Sequence, residues 1–230
     1  MSNPLSDLQA RLEYRFADPQ LLTAALTHRS AGAANNERLE FLGDSVLSCA
    51  ISAALFRLRP DLSEGDLSRL RSRLVRGTAL AVISAELGLP GLLIMGQGEL
   101  RSGGFQRESI QADAFEAVLG AVFLDGGFAA CERVILRLYA ARLADLPDTA
   151  TLKDPKTRLQ EWLQARGVAL PSYELVGSAG KAHERQFTVA CHVAHANLRV
   201  EARGSSRRKA EQCAAETALD ALTDSSGGTA

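Results

Sequence analysis

No uninterrupted apolar run in this 230-residue chain approaches the ~18 residues of a membrane-spanning helix. The first residues, Met1-Ser2-Asn3-Pro4-Leu5-Ser6-Asp7, lack a basic stretch followed by an apolar core, so no export signal is expected and the cytoplasm follows by default. Neither sign of charge prevails, with 26 Lys and Arg facing 27 Asp and Glu. Taken alone, that balance argues against a nucleic-acid binder. The four cysteines, Cys49, Cys131, Cys191 and Cys213, show no CxxC pairing. Cys191, His192 and His195 come nearest to a zinc set, yet the alternation Phe187, Val189, Cys191, Val193 puts Cys191 on a core-facing strand side and His192 opposite. Reduced, mostly buried thiols are expected. No Gly-Lys-Ser/Thr follows the glycine-rich stretch 96–107, which excludes a P-loop. No serine or cysteine nucleophile set is visible either, since His28 near Ser30 has no evident acid partner and Thr27-His28 reads as a helix end.

What is present is a soluble globular composition, 46% apolar and 23% charged. The even charge is an average over unlike parts. Residues 153–223 hold 11 Lys and Arg against 8 Asp and Glu, leaving 15 against 19 elsewhere. Up to residue 145 the apolar positions recur at helical spacing, in 8–14, 20–26, 38–58, 64–74, 79–87, 110–124 and 129–144. Asp18-Pro19, Arg59-Pro60, Leu89-Pro90-Gly91 and Asp125-Gly126-Gly127 punctuate them. Residues 146–153 are polar, contain Pro147 and read as a linker. Beyond it, Asp154-Pro155 opens a helix to Arg166, three alternating stretches (173–176, 186–193, 198–202) read as antiparallel strands, and 206–222 closes as an alanine-rich helix. The expected face of that helix is Ala210, Cys213, Ala214, Thr217 and Ala221. The fold class is thus an all-α domain over 1–145, then a small α-β-β-β-α domain over 154–223, with 224–230 a disordered tail.

The densest chemistry lies in Glu37-Arg38-Leu39-Glu40-Phe41-Leu42-Gly43-Asp44-Ser45. Three acids at i, i+3 and i+7 share one helix face, while Leu39, Leu42 and Val46 form an apolar stripe. Gly43 costs a helix interior about 1 kcal/mol relative to alanine, so its expected use is to admit a second helix closely. The matching segment is 113–121, where Asp113 and Glu116 sit among small residues inside an apolar run. An unpaired carboxylate there would be costly. Two close helices offering carboxylates to one gap suit a hard divalent cation such as Mg2+. Acids at this spacing are otherwise most often a plain solvated face.

These segments resemble bacterial ribonuclease III. The likeness runs in order through residues 37–45, Ser63-Glu64-Gly65-Asp66-Leu67-Ser68, Leu74-Val75-Arg76-Gly77, residues 96–104 and 107–113, and residues 204–212, which match a double-stranded RNA-binding domain. The resemblance implies an endonuclease that hydrolyses double-stranded RNA, leaving 5′-phosphate and 3′-hydroxyl ends with short 3′ overhangs, in processing of ribosomal and other precursors. It assigns metal ligation to Glu40, Asp44, Asp113 and Glu116, Asp44 and Glu116 being catalytic, and adds Glu37 and Glu64 as supporting acids. Glu64 comes from the resemblance alone; Ser63, Glu64 and Asp66 equally suit a helix start.

A phosphodiester repels nucleophiles, and two Mg2+ about 4 Å apart can activate water and stabilise the departing 3′ oxygen. Mn2+ is a possible substitute, and no organic cofactor and no membrane are expected. The partners implied are double-stranded RNA and a second copy of the chain, since one site cuts one strand. Phe41, amid the acids, reads equally as a contact or a core residue. Arg101 and Arg107 would steer phosphates from a mobile loop, which could also be a merely solvated hairpin. Gln97 and Gln106 stand where related sequences often have proline and arginine. In the second domain Gln160, Glu161 and His183 match positions reading 2′-hydroxyls, and Arg207, Arg208 and Lys209 would grip phosphates. Cations at a helix N-terminus oppose its dipole, which favours a ligand role for these three. The alternatives from other classes are a non-catalytic RNA-binding protein and a nucleotide phosphohydrolase.

Overall fold

A computed structural model describes residues 3–148, 153–180 and 185–226, the last three without side chains. Two compact units divide between Pro147 and Asp148. His183 and residues 227–230 of the expected tail lie outside the described residues.

The first unit is helical, and its helices begin where the sequence offers caps. Asn3 accepts from the Leu5 amide ahead of α1 (Pro4–Leu12), and Asp18 accepts from Gln20 ahead of α2 (Pro19–Ala25). Then follow α3 (Glu37–Leu58), α4 (Glu64–Leu74, capped by Ser63), α5 (Gly77–Glu86), the short α6 (Gln97–Arg101) and α7 (Glu108–Ala144). The α7 helix is broken at Gly127, whose φ of 77° and ψ of 178° are non-helical. Asp125, just before the break, accepts hydrogen bonds from the Tyr14 hydroxyl (2.6 Å) and the amides of Ala17 and Asp18 (2.9 Å each).

The core gathers around α7, whose Ala114, Phe115, Ala117, Val118, Leu119, Ala121 and Val122 are fully buried. Against it packs the buried face of α3, including Leu39, Val46, Leu47, Ala50 and Ile51. At their crossing a Cβ on Gly43 would overlap the Glu116 carbonyl oxygen, and one on Gly120 would overlap the Leu39 carbonyl oxygen. The close approach expected from Gly43 is therefore real, and it is reciprocal. Both α3 and α7 reach the length and mean hydropathy (1.5) of a membrane span, although polar residues interrupt the apolar run in each. About half of each such stretch, 44% and 56%, is buried inside the unit's own helical core.

In the second unit β1 (Ser172–Ala179), β2 (Gln186–Val193) and β3 (Leu198–Gly204) form an antiparallel sheet in the order β1-β2-β3. A bulge between Leu175 and Gly177 carries β1 past the four alternating residues that signalled it. Helices α8 (Pro155–Gln164) and α9 (Arg207–Ser226) cover one face through Leu159, Leu163, Cys191, Val193, Ala214, Ala215, Ala218, Leu219 and Leu222. Three sequence expectations are corrected. The α9 core face is turned from the expected one: Ala215, Ala218, Leu219 and Leu222 are buried while Thr217 is exposed, because the larger leucines take the inner positions. Of the thiols, Cys131 and Cys191 are buried but Cys49 is exposed on α3. The α9 helix also continues to Ser226, beyond the expected end at Leu222.

Replacing Gly43 or Gly120 by alanine should cost about 3 kcal/mol of stability, since the obstructing atoms are backbone and cannot rotate away. Thermal unfolding of the two variants checks this; a melting temperature within 1–2 °C of the parent, roughly 0.5 kcal/mol, would contradict the packing.

Candidate metal centre and nucleic-acid interface

The α3–α7 crossing delivers the acids. One carboxylate oxygen from each of Glu40, Asp113 and Glu116 lies within 4.8 Å of the others, all three side chains being half-buried. Glu40 comes from the first turn of α3; Asp113 and Glu116 come from successive turns of α7. Burial and the charges of Asp44, Glu40 and Asp113 push the Glu116 carboxyl up to about 8. Burial, then Asp113 and Glu37, also raise Glu40, against the opposing charge of Arg29. Burial raises Asp113, while His28 and Arg29 pull it back. Carboxylates gathered this closely and partly desolvated fit a divalent cation, whose charge would remove the mutual repulsion.

The other expected acids differ in placement. Asp44 is exposed and outside the 4.8 Å group, although its charge acts on both Glu116 and Glu40. Glu37 is exposed and pairs with Arg29 at 3.4 Å. Glu64 does not join the gathering: it starts α4, is exposed, and accepts from the Ser68 hydroxyl at 2.7 Å. Its position suits the positive end of the helix dipole, which suffices to explain it. Phe41 is 77% exposed, which removes the core alternative in this chain taken singly.

A cleft of 260 Å³ opens beside Glu40 and Asp113 and is also lined by His28, Arg29, Glu99 and Arg107. Sequence reading missed His28, Arg29 and Glu99 as members of this site. They are brought there by a non-local bridge in which the His28 amide donates to Ile94 (2.9 Å) and the Ile94 amide to Leu26 (2.8 Å). Ser30, bonded to the His28 Nδ1 at 2.8 Å, also accepts from the Gly96 amide at 3.0 Å. The stretch 96–107 is neither hairpin nor open loop; it folds as α6 and a 3-10 turn, Gly104–Gln106. Arg107 pairs with Glu99 at 2.9 Å, whereas Arg101 ends α6 exposed, away from the cleft lining.

In the second unit the expected RNA contacts are presented outward. Gln160 and Glu161 are exposed on α8, with Glu161 accepting from Lys153 at 2.7 Å. Arg207, Arg208 and Lys209 open α9 and are exposed, the Ser206 hydroxyl accepting from the Lys209 amide. Arg207 is bound by Glu211 at 3.0 Å, and Glu211 also takes Lys156 at 2.7 Å, tying α8 to α9. Arg208 reaches Asp154 only at 4.0 Å. Cys191 is buried and His192 faces Glu174 at 3.5 Å on the other side of β2, as the alternation predicted.

A helical carboxylate site followed by a double-stranded RNA-binding fold defines a metal-dependent nuclease of duplex RNA. Comparison with known proteins agrees. Residues 18–143 match the Ribonuclease-III-like family and 155–222 the double-stranded RNA binding motif. The chain is 50% identical over 224 residues to Ribonuclease 3 of Vibrio cholerae, covering 97% of this chain and 100% of that one. It is 52% identical over 222 residues to Ribonuclease 3 of Xylella fastidiosa, covering 96% and 98%. Among solved structures, the nuclease domain of ribonuclease III from Campylobacter jejuni superposes with a TM-score of 0.60 at 40% identity, covering 64% of this chain and 100% of that one. The chain belongs to the ribonuclease III family and is an endoribonuclease of double-stranded RNA.

The raised Glu116 sets a pH signature. Its folded value of about 8 exceeds the ordinary 4.5, so the folded state holds a proton that the unfolded state releases first. Without metal, stability should therefore fall as pH rises from about 4.5 to about 8. Divalent metal, which requires the ionised carboxylate, should reverse the trend and release about one proton at neutral pH. Melting curves across that range, with EDTA or Mg2+ and in Glu116→Gln, check this; identical pH slopes in the parent and Glu116→Gln would exclude it.

Proposed function

We propose that Glu40, Asp113 and Glu116 hold Mg2+ directly, with Mn2+ as an acceptable substitute, and that Asp44 acts with Glu116 at the reacting phosphate. The observation that carries this reading is the gathering of three half-buried carboxylates within 4.8 Å. Held by these residues, Mg2+ would supply Lewis acidity for activating water and offsetting charge on the leaving 3′ oxygen. The side chains do not attack. Glu40 and Asp113 fix the cation from two helices, Glu116 gives up its proton to join them, and the Gly43–Gly120 contact keeps the helices from drifting apart. The products are 5′-phosphate and 3′-hydroxyl ends with short 3′ overhangs, and the physiological work is processing of ribosomal and other RNA precursors in the cytoplasm.

Two strands need two sites, so the working form is a homodimer. The exposure of Phe41 beside the acids on α3 supports a contact there, and the Campylobacter jejuni nuclease domain is described as having a region involved in dimer formation. The exposed Gln160 and Glu161 of α8 and Arg208 and Lys209 of α9 engage the duplex by its A-form shape, minor-groove hydroxyls from α8 and phosphates from α9. His183 belongs to the same proposal.

Cleavage of a long end-labelled RNA duplex tests the reading. The parent should cut with Mg2+ and stop with EDTA, and Glu116→Gln should lower the rate by more than about 100-fold while still binding duplex. Tight binding by the parent without cutting, under Mg2+ or Mn2+, would make this a non-catalytic RNA-binding protein.

A further inference from the structure

We propose that Arg29 and Arg107 form a two-pronged phosphate clamp at the mouth of the carboxylate cleft, each guanidinium parked on an acid of that cleft, Glu37 and Glu99, until RNA phosphate replaces it. This rests on the metal-site reading above and adds to it a substrate-holding role for Arg29 and a storage role for Glu37 and Glu99.

Both arginines line the cleft shared by Glu40 and Asp113, and they arrive from different segments, one between α2 and α3 and the other immediately before α7. Their bases are fixed. Arg29 starts the 3-10 turn Arg29–Ala31, held on one side by His28 to Ile94 at 2.9 Å and on the other by Gly96 to Ser30 at 3.0 Å. The Arg107 amide donates to Gly104 at 3.0 Å, and its carbonyl accepts from Gln111 at 3.1 Å. The heads are exposed by contrast, at 69% and 53% of the side chain, Arg29 paired with Glu37 and Arg107 with Glu99 while also donating to the Ser102 hydroxyl at 3.3 Å. Exposed pairs of this kind contribute little to stability, so a polyanion can displace the carboxylate cheaply.

The shared lining gives a further reason. Arg29 borders the same cleft as Glu40 and Asp113. A cation lining the same cleft as a divalent site repels the metal once it binds, a cost without return if Arg29 served the protein alone. The cost is recovered when a phosphodiester enters, because the guanidinium fork matches two phosphate oxygens and the metal shares the same anion. Glu37 and Glu99 explain themselves in the same way: neither joins the 4.8 Å carboxylate group, yet each occupies one arginine while the cleft holds no RNA.

The experiment is duplex binding by the full chain in EDTA, where no cutting occurs, across a KCl series. Arg29→Ala and Arg107→Ala should each weaken binding several-fold and lower the slope of log affinity against log salt by about 0.9, the loss of one phosphate contact. Arg29→Lys should keep the slope while binding more weakly than the parent, since it keeps the charge and loses the fork. Glu37→Gln and Glu99→Gln, which release the prongs, should tighten binding. Arg29→Ala with parental affinity and slope would overturn the clamp. So would Glu37→Gln weakening binding as Arg29→Ala does, the mark of a pair that only shapes the loop. A parent that binds duplex but never cuts it strikes the catalytic reading instead and leaves these binding outcomes legible.

Discussion

The contact of Gly43 with Gly120 governs this structure. Where two helices would ordinarily be kept apart by side chains, the carbonyl oxygens of Glu116 and Leu39 occupy the space that a methyl group would need. That proximity brings a first-turn glutamate of α3 to within ligand distance of two acids on α7. Glycine's conformational cost in each helix interior is thus offset by packing, and the packing in turn strips water from groups that would be more stable hydrated. Fold and site share one joint: loosening it for stability's sake would disperse the carboxylates, and relieving their repulsion by neutral substitution would remove the reason to bind metal.

Charge is handled differently in the two units. In the helical unit like charges are concentrated, and the Glu116 carboxyl responds by retaining its proton toward neutral pH. In the second unit opposite charges are interleaved. Glu211 accepts from Lys156 of α8 and Arg207 of α9, and its carboxyl is held below the usual range by those bonds despite partial desolvation. Lys156 also lies 4.4 Å over the Tyr173 ring, so α8, α9 and β1 meet at one cation. The spacing between the exposed Gln160 and Glu161 of α8 and the exposed cations of α9 is thereby fixed.

Much of this was legible because the informative residues break a local rule. A glycine inside an apolar helix and acids inside an apolar run each demand a partner, and the two demands answer one another. Helix starts at Pro19, Glu64 and Pro155 follow caps written in the preceding residue, whereas the first helix begins at Pro4, four residues before its expected stretch. What escaped reading depends on distant pairing. His28, Arg29 and Glu99 enter the site through the Thr27–Ile94 bridge and the Gly96–Ser30 hydrogen bond, for which neither segment carries a strand pattern. The α6 helix hides in a glycine-rich stretch because a five-residue helix has no periodicity to detect. Glu64 stands apart: the resemblance counts it among the supporting acids, and its side chain accepts from the Ser68 hydroxyl in the first turn of α4. The turned face of α9 reflects a helix so rich in alanine that several stripes look equally apolar until the leucines choose one.

The Asp125 tie beside the α7 break gives the amino-terminal segment a standing that family matching does not. The matched pattern begins at residue 18, yet Leu8 and Leu12 have no exposed surface and Tyr14, Ala17 and Asp18 supply the three donors that satisfy Asp125. A chain trimmed to the recognisable pattern would lose two core leucines, and with Tyr14 and Ala17 two of the three donors to the carboxylate at the bend of α7. The boundary of what is recognisable and the boundary of what folds are here about a dozen residues apart, and the longer of the two marks the nuclease unit.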